Sequence, residues 1–505
     1  MFPLRDLTMS RGRRCAVGLL TAAAGFAGPL AAQGVIITGA SSAQYLELRP
    51  LALDSIPYAS TTEAWGIYRL TPGGIPANCP SPSGTCTYFR SSNQQSLMAL
   101  MQDVDVTAWG LGQGISVHAE LRGRTATGGG QDLWPQAAQR VEALAAYVDV
   151  DRSIGRARLG RQWIASTLGV FNFDGAALSL HPLHGISGQV YGGNALVEGL
   201  NRALDAGVLT PVEDIPPADA AFVFGTTVGL RPSAATAITA QYQREIRRDR
   251  AGLYSERFAA TGETQIAATT LSGVLSRDLA TSTFNELSGT IRTPIAHVLD
   301  ASLTARHYAP YFDLWTIWGA FSPVAYDELM GTLRWASSDA RVVLGATGGR
   351  RRYDDTFTGV AHLPLRTSGW RAGTNATVRV TPVVSVLGSY DIDIGPGASS
   401  ADGDAAVQWM WPSGTRLALH GTAFQNVGEF QIGEGTVYGL GGESAMRIAS
   451  GVQLVGDLFL YRHTVHDQPQ LVNWNQRRAS LRLEWTIGSE PSWGGAIGKA
   501  RGDAP

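Results

Sequence analysis

Charged side chains recur at every second residue in several stretches of this sequence. Arg156 and Arg158 alternate with Ala157 and Leu159, and the polar positions of residues 115–122 are Ser116, His118, Glu120 and Arg122. A guanidinium keeps its positive charge and carries five N–H donors that match carboxylates and phosphates. Several of them along one wall would favour anionic solutes through their local field. The alternative is that each arginine pairs with an acidic residue on a neighbouring segment.

Motifs for covalent or cofactor chemistry are missing from the sequence. It contains no G-x-S-x-G nucleophile elbow and no C-x-x-C-H haem attachment site. A phosphate-binding loop needs a lysine followed by a hydroxyl residue, but Lys499, which is the only lysine, precedes Ala500. His181 and His184 fall in a predicted turn, where solvated side chains are more common than metal ligands. We therefore predict a chain that is not an enzyme and has no cofactor and no metal site.

The cysteines point to an oxidising compartment. Cys15 lies in the N-terminal leader, which leaves Cys79 and Cys86 with six residues between them. Metal binding would require further cysteine or histidine residues nearby, and the surrounding sequence has none. The pair is therefore predicted to form a disulfide within one loop.

The composition excludes several classes of protein. Charged residues make up 16% of the chain, against roughly 25% in soluble domains, and glycine accounts for 60 of 505 residues. With a mean hydropathy of −0.02, this is neither a disordered chain nor a bundle of membrane helices. The net charge of −2 argues against a nucleic-acid partner.

Strict alternation of apolar and polar residues persists from about residue 40 to residue 488. A period of two over eight to twelve residues is typical of β-strands with one apolar face. Here the opposite face carries arginine, aspartate and glutamate in strand after strand, and a soluble sandwich rarely extends this far as one sheet. Long strands that are apolar outside and polar inside indicate a transmembrane β-barrel.

The lengths of the connections support the same fold. Short turns occur near residues 112–114, 151–153, 231–233, 381–382, 412–414 and 450–451. Longer loops are predicted at 52–98, 125–139, 193–217, 309–324 and 464–475. Because bacterial barrels place short turns in the periplasm and long loops outside, the two kinds should alternate. We predict a single all-β, antiparallel up-and-down barrel of about 22 strands, within a range of roughly 20 to 24.

Both ends of the chain are predicted to lie outside the barrel. Residues 1–32 combine four arginines, an apolar run and Ala31-Ala32, as a secretory signal peptide does. The barrel is then predicted over residues 33–488. Since its first strand begins near the mature N-terminus, no separate plug domain is expected. Residues 489–505 are rich in glycine and small residues and are predicted to form a disordered periplasmic tail.

One segment resembles a known family. Residues 154–163 contain Gly160-Arg161-Gln162, and Phe173-Asp174-Gly175 follows. This segment, 154–180, is similar to part of the porins of the alginate-export type. The resemblance implies a monomeric outer-membrane channel for a charged or sugar-like solute. Only Arg161, Gln162 and Asp174 match the family pattern closely enough to be carried over as pore-lining candidates, beside Arg122, Arg156 and Arg158.

Two further groups of residues are candidates for binding. Residues 308–321 hold six aromatic residues, among them Tyr311, Phe312, Trp315 and Trp318. They could stack on sugar rings, belong to a loop that folds into the pore as a constriction, or form girdle and loop core. The run Arg350-Arg351-Arg352 falls at a predicted outer strand end, where it would meet lipopolysaccharide phosphates or loops.

These patterns predict a porin-like channel in the outer membrane of a Gram-negative cell, for passive passage of small polar or anionic solutes. A barrel this wide must be narrowed, and the loops at 52–98 and 193–217 are the expected means. Its other predicted partners are outer-membrane lipid and the barrel assembly machinery. The alternative is a scaffold that sheaths a protein in its lumen, such as an electron-transfer cytochrome; a lipid-modifying enzyme is a weaker third hypothesis.

Overall fold

A computed structural model provides the fold. It describes residues 34–49, 51–64, 68–82, 84–127, 141–196, 221–247, 253–309, 325–354, 368–395, 399–427, 435–465 and 473–488. The predicted signal peptide, the predicted tail and the aromatic candidates Tyr311, Phe312, Trp315 and Trp318 lie outside the described residues.

The described residues are almost entirely β-strands. The first of them are β1 (Gly34–Leu48), β2 (Leu51–Pro57), a 3-10 turn (Tyr58–Ser60), β3 (Thr62–Ala64), β4 (Tyr68–Leu70), β5 (Pro76–Ala77) and β6 (Thr85–Ser91). The remaining strands are β7 (Gln95–Trp109), β8 (Ile115–Thr127), β9 (Val141–Arg152), β10 (Gly155–Ser166), β11 (Gly169–Leu183), β12 (Ile186–Ala195), β13 (Ala221–Ser233), β14 (Thr236–Arg247), β15 (Leu253–Ile266), β16 (Thr269–Asp278), β17 (Thr283–Ala296), β18 (Leu299–Tyr308), β19 (Tyr326–Ala336), β20 (Val342–Tyr353), β21 (Ser368–Arg379), β22 (Val384–Ile394), β23 (Ser399–Met410), β24 (Arg416–Val427), β25 (Gly435–Ala449), β26 (Val452–Val465) and β27 (Trp474–Gly488). No helix within the described ranges is long and apolar enough to cross a membrane.

Twenty-two of these strands form one closed antiparallel sheet. Each strand from β7 to β27 pairs with its neighbours in the chain, and β1 pairs with both β7 and β27. Closure removes free sheet edges, so every strand of the ring has a hydrogen-bonded neighbour on both sides. The predicted fold class, a closed antiparallel barrel of 22 strands, is confirmed.

The two ends of the barrel differ in their connections. At one end, here called the turn end, ten connections such as 153–154, 184–185 and 450–451 contain two to five residues. The opposite end, here called the loop end, carries the connections between β1 and β7, β8 and β9, β12 and β13, and β18 and β19, which are much longer. Four connections at the loop end are as short as those at the turn end, and the shortest of them is 167–168, which joins β10 to β11.

The two faces of the wall follow the pleat of the strands. In β20 the even positions from Leu344 to Arg352 are exposed, and the odd positions between them are half-buried. Large apolar residues occupy the exposed positions elsewhere too; Leu329 is 54% exposed on β19 and Leu458 is 54% exposed on β26. Because side chains alternate between the faces, the apolar set covers the outside and the other set lines the lumen.

The first connection at the loop end contains small sheets of its own. Strand β2 pairs with β6, and β4 pairs with β3 and β5. Cys79 and Cys86 form a disulfide here, with their Cα atoms 4.2 Å apart. Arg90 Nε lies 2.7 Å from Asp54 Oδ2, and this hydrogen bond lowers the pKa of Asp54 below its ordinary value. This part of the predicted loop 52–98 is therefore an ordered sheet.

The ring closes where β27 meets β1. Glu47 is 8% exposed at this seam, and its Oε2 accepts the backbone N–H of Arg477 at 2.8 Å. The Gln476 side-chain amide donates to the carbonyl oxygen of Glu47 at 2.7 Å. Tyr45 donates its hydroxyl to Glu47 Oε1 at 2.9 Å, so one residue ties together both strands of the seam.

Candidate functional site in the barrel lumen

The arginines predicted to line the pore are held by carboxylates on the neighbouring strands. Arg122 Nε lies 2.7 Å from Asp103 Oδ1, and Arg158 Nε lies 3.0 Å from Asp149 Oδ1. Register explains the second pair, since Arg158 and Asp149 are directly opposite each other and share the inner face. Arg156 is less tightly held: its Nε is 3.9 Å from both Asp149 and Asp151, and its side chain is 42% exposed. Ion pairing, the alternative considered from the sequence, therefore describes Arg122 and Arg158.

A second ionic cluster spans β19 to β22. Glu328 is 5% exposed, and its carboxylate accepts from Arg351 and Arg371 at 2.9 Å each. Arg351 also contacts Asp393 at 2.9 Å. Arg351 thus lies on the inner face, whereas Arg350 and Arg352 beside it are exposed on the outer face. The arginine run is therefore divided between the two faces.

A polar cluster on β7 and β8 brings three metal-type ligands together. One ligand atom each from Asp105, His118 and Glu120 lies within 4.8 Å of the others. The imidazole already has close polar neighbours, because His118 Nδ1 is 3.0 Å from the Thr107 hydroxyl and Nε2 is 3.3 Å from Asp105. Both ring nitrogens of His118 therefore have polar neighbours within the wall.

The loop-end part of the β10–β11 hairpin leaves the barrel wall. Strand β10 pairs with β9 only as far as Arg161, and β11 pairs with β12 only from Phe173. Between these points, over residues 162–172, strands β10 and β11 pair only with each other. We call these residues the lumen hairpin.

The tip of the lumen hairpin contacts the inner wall three strands away. Thr167 donates its backbone N–H to Gln241 Oε1 at 2.9 Å. Gln241 lies midway along β14. Ile238 is exposed on the outer face of the same strand, and Gln241, three residues further on, therefore lies on the inner face. The Arg257 guanidinium of β15 lies 5.3 Å from the centre of the Phe171 ring. The hairpin therefore folds inward and rests against the lumen side of β12 to β15.

Two glycines permit this bend. Gly160 and Gly175 are opposite each other in the register, and Gly160 has a φ of +129° that side-chain-bearing residues rarely adopt. A Cβ at Gly160 would lie 2.3 Å from the carbonyl oxygen of Ala146, and one at Gly175 would lie 2.1 Å from that of Gly192. Since these contacts are with backbone, no side-chain movement could relieve them.

Apolar packing holds the hairpin in place. Phe173 is fully buried, and its ring centre is 5.6 Å from that of Tyr191 on β12. Ile164 and Val223 complete the cluster, and the Tyr191 hydroxyl donates to Gln243 Oε1 at 2.9 Å. Burying one phenylalanine contributes about 2 to 3 kcal/mol, so the burial of Phe173 stabilises the inward position of the hairpin.

A cavity of about 300 Å³ lies under the hairpin. Arg156, Arg158, Ser179 and Gln189 line it from the wall, and Gln162, Trp163, Ile164 and Ala165 line it from the hairpin. The structure thus brings together Arg156, Arg158 and Gln162, although Gln162 is fully buried and donates to the carbonyl oxygen of Gly175 at 3.1 Å.

The other predicted site residues lie apart from this cavity. Arg161 and Asp174 form a two-pronged ion pair at the bend, at 2.9 and 3.0 Å. Arg122 lies on β8 and does not line the cavity. Sequence analysis did not single out the hairpin as a whole; its signal was the pair of glycines before Arg161 and after Asp174.

Comparison with known proteins adds structures but no family. No protein-family model matches the sequence, and no curated protein is similar to it. Solved structures with a similar fold include the translocation pore of the P pilus usher PapC, with a TM-score of 0.44, 8% identity, and coverage of 90% of this chain and 99% of that chain. OccAB1 of Acinetobacter baumannii has a TM-score of 0.38 at 10% identity, covering 91% and 98%. A BenF-like porin from Pseudomonas fluorescens Pf-5 has a TM-score of 0.39 at 9% identity, covering 90% and 99%.

The structure itself defines the class of protein. A closed ring of 22 antiparallel strands with an apolar outer face is an outer-membrane β-barrel, because a β-sheet pairs all of its backbone groups within lipid only when it is closed. Within that class, a polar inner face around a lumen is the architecture of a porin-like channel.

Proposed function

We propose that this barrel is a passive channel for small polar or anionic solutes, and that the lumen hairpin narrows it. The observation that carries the proposal is the hydrogen bond from the Thr167 backbone to Gln241, which holds the hairpin tip against the middle of β14, three strands away. A barrel of 16 or more strands leaves a wide aqueous lumen unless something occupies it. The hairpin supplies such an obstruction from the wall itself.

The inner face favours polar solutes, with a local preference for anions. Most arginines described above have a carboxylate within hydrogen-bond distance, so their fields largely cancel. Arg156 differs, because its nearest carboxylate oxygens are 3.9 Å away and 42% of its side chain is exposed beside the hairpin. An anion passing the hairpin could therefore contact Arg156 without breaking a short ion pair.

The alginate-export-type resemblance supports the same proposal. Its residues, 154–180, coincide with β10, the lumen hairpin and most of β11. A charged or sugar-like solute, which that resemblance implies, fits a polar lumen in which the Arg156 guanidinium is accessible. The alternative function, a sheath around a protein such as a cytochrome, needs a lumen wide enough for a folded partner, and the inward hairpin reduces that space.

Single-channel conductance in a planar bilayer tests the proposal. The refolded protein should conduct steadily, with a reversal potential in a salt gradient that leans toward anions. Replacing residues 164–171 by a two-residue turn should raise the conductance severalfold. A matched control shortens the connection 337–341 at the turn end, which should leave the conductance unchanged.

Heat-dependent migration in detergent gels shows whether each variant has folded. For folded protein, two results would contradict the proposal. A folded wild-type barrel that inserts but does not conduct would favour the sheath alternative. Equal conductance with and without residues 164–171 would show that the hairpin does not set the width of the pore.

A further inference from the structure

Aromatic side chains occupy consecutive inner-face positions of β26. Phe459, Tyr461 and His463 alternate with Leu458 and Leu460, which are 54% and 51% exposed on the outer face. The three aromatic residues are half-buried. They therefore face the lumen at successive levels, from the middle of the strand to the loop end.

The rings lie flat against the wall. The planes of Phe459 and Tyr461 differ by 14°, with ring centres 5.9 Å apart. On the neighbouring strand β25, a Cβ at Gly441 would lie 2.1 Å from the Phe459 ring, and a Cβ at Gly439 would lie 2.7 Å from the Tyr461 ring. Because each ring covers a glycine, one of its faces is against the wall and the other is turned to the lumen.

Further rings border this surface on both sides. His463 stacks face to face on Trp474 of β27, with ring centres 4.4 Å apart and planes 12° apart, so each of these rings covers one face of the other. His420 of β24 lies 6.0 Å from Phe459. We call these five residues, His420, Phe459, Tyr461, His463 and Trp474, the aromatic track.

Polar groups border the aromatic track. The Arg478 guanidinium carbon is 5.9 Å from the centre of the Tyr461 ring. Gln476 Oε1 lies 3.3 Å from His463 Nε2. A solute lying on the rings would therefore meet hydrogen-bonding groups at its edges.

The aromatic track lies across the barrel from the strands that the tip of the lumen hairpin contacts. The hairpin reaches β14 and β15, and β26 is eleven strands from β15 in either direction around the ring. A solute pushed away from the hairpin side is thereby directed toward the track.

We infer that the aromatic track binds saccharides, which slide along it with their apolar ring faces stacked on the aromatic rings. This inference rests on the proposed channel function and names the solute class. The face of an aromatic ring carries partial negative charge, which attracts the C–H groups on one face of a pyranose. The hydroxyls around the sugar edge match Gln476, His463 and Arg478. Phe459 and Tyr461 are nearly parallel rings at two successive levels, and they suit a solute that presents the same face in adjacent units.

Current block by a defined oligosaccharide tests the inference. Maltohexaose added to one side should interrupt the current through the wild-type channel in a concentration-dependent way. Tyr461→Ala should weaken this block at least about fivefold, while Tyr461→Phe, which keeps the ring, should retain most of it. Leu460→Ala, on the outer face of the same strand, is the matched control and should behave as wild type.

The outcomes separate this inference from the proposed function. A channel that conducts but shows no difference between Tyr461→Ala and wild type in sugar block overturns the track and leaves the channel. Block by benzoate but not by maltohexaose assigns the track to flat aromatic acids instead. If the barrel folds but does not conduct, tryptophan fluorescence tests the track instead. Maltohexaose should change the fluorescence of the wild type more than that of Trp474→Phe. Equal changes in the two proteins would overturn the track.

Discussion

The wall that carries the lumen hairpin and the wall that carries the aromatic track both depend on glycine, but in different ways. At Gly160 and Gly175 the missing side chain leaves room for the backbone of neighbouring strands, at 2.3 and 2.1 Å from an ideal Cβ. At Gly439 and Gly441 the space is filled by the rings of Tyr461 and Phe459. The first pair changes the course of the chain, and the second pair changes the orientation of a side chain.

This difference predicts different tolerance to substitution. A backbone carbonyl held in a sheet ladder cannot move without breaking hydrogen bonds of the barrel. An aromatic ring at the lumen surface can rotate into free space. The hairpin wall should therefore be sensitive to any added Cβ, and the track wall should lose binding before it loses stability.

Gly160→Val should have the largest effect. The substitution places a β-branched residue at φ +129° and puts its Cβ 2.3 Å from the Ala146 carbonyl oxygen. The combined strain and overpacking should destabilise the barrel by about 3 kcal/mol or more, measured as the shift of the urea unfolding transition. Gly289→Ala is the control, since an ideal Cβ there has no heavy atom within 4 Å. Equal transitions for Gly160→Val and wild type would refute the rigid bend.

Gly439→Ala should have a smaller effect on stability. Its Cβ would meet the Thr422 methyl group at 2.5 Å and the Tyr461 ring at 2.7 Å, and both are side-chain atoms. A cost of about 1 kcal/mol is expected, because the ring can turn away from the wall. Maltohexaose block should weaken in the same variant, since the ring would no longer lie flat. A loss of stability as large as that of Gly160→Val would show that the rings are as fixed as the bend.

Gln241→Ala should have the smallest effect on stability. It removes the acceptor of the Thr167 N–H and leaves the Phe173 cluster intact, so about 0.5 kcal/mol of local anchoring is lost. The mean conductance should change little, but the open-channel current should fluctuate more as the tip detaches. Gln241→Glu keeps an acceptor for the Thr167 N–H and should show the same current noise as the wild type. Identical current noise in Gln241→Ala and wild type would mean that the tip does not depend on this bond.

Sequence periodicity was sufficient for the barrel and insufficient for the hairpin. A period of two specifies which face of a strand is apolar, and alternating connection lengths specify how strands follow one another. Both signals are local, so they predict 22 strands without knowledge of the ring. Residues 162–172 continue the same period, and their two-residue connection resembles any tight turn. Their inward course depends on Gln241 and Tyr191, which are distant in sequence.

The site residues show the same limit. Alternation predicts Arg156 and Arg158 on one face of β10, but the position of their partner Asp149 depends on the register between β9 and β10. In the sequence, aromatic residues are densest at 308–321, and this cluster is therefore the predicted stacking site. The aromatic track is sparse along the chain and forms only when β24, β25, β26 and β27 are side by side. The number of aromatic residues in a short stretch of sequence therefore could not predict the aromatic track.

The seam at Glu47 has a consequence for how the ring is made. Most strand pairs of this wall join neighbours in the chain and can form as soon as both are present. The contact between Glu47 and Arg477 spans 430 residues, so closure is the step with the largest entropy cost and waits for the last strand. Until then β1 and the newest strand are both open edges that any extended peptide could pair with. Loss of the 15 residues of β27 would therefore turn a barrel without edges into a sheet with two.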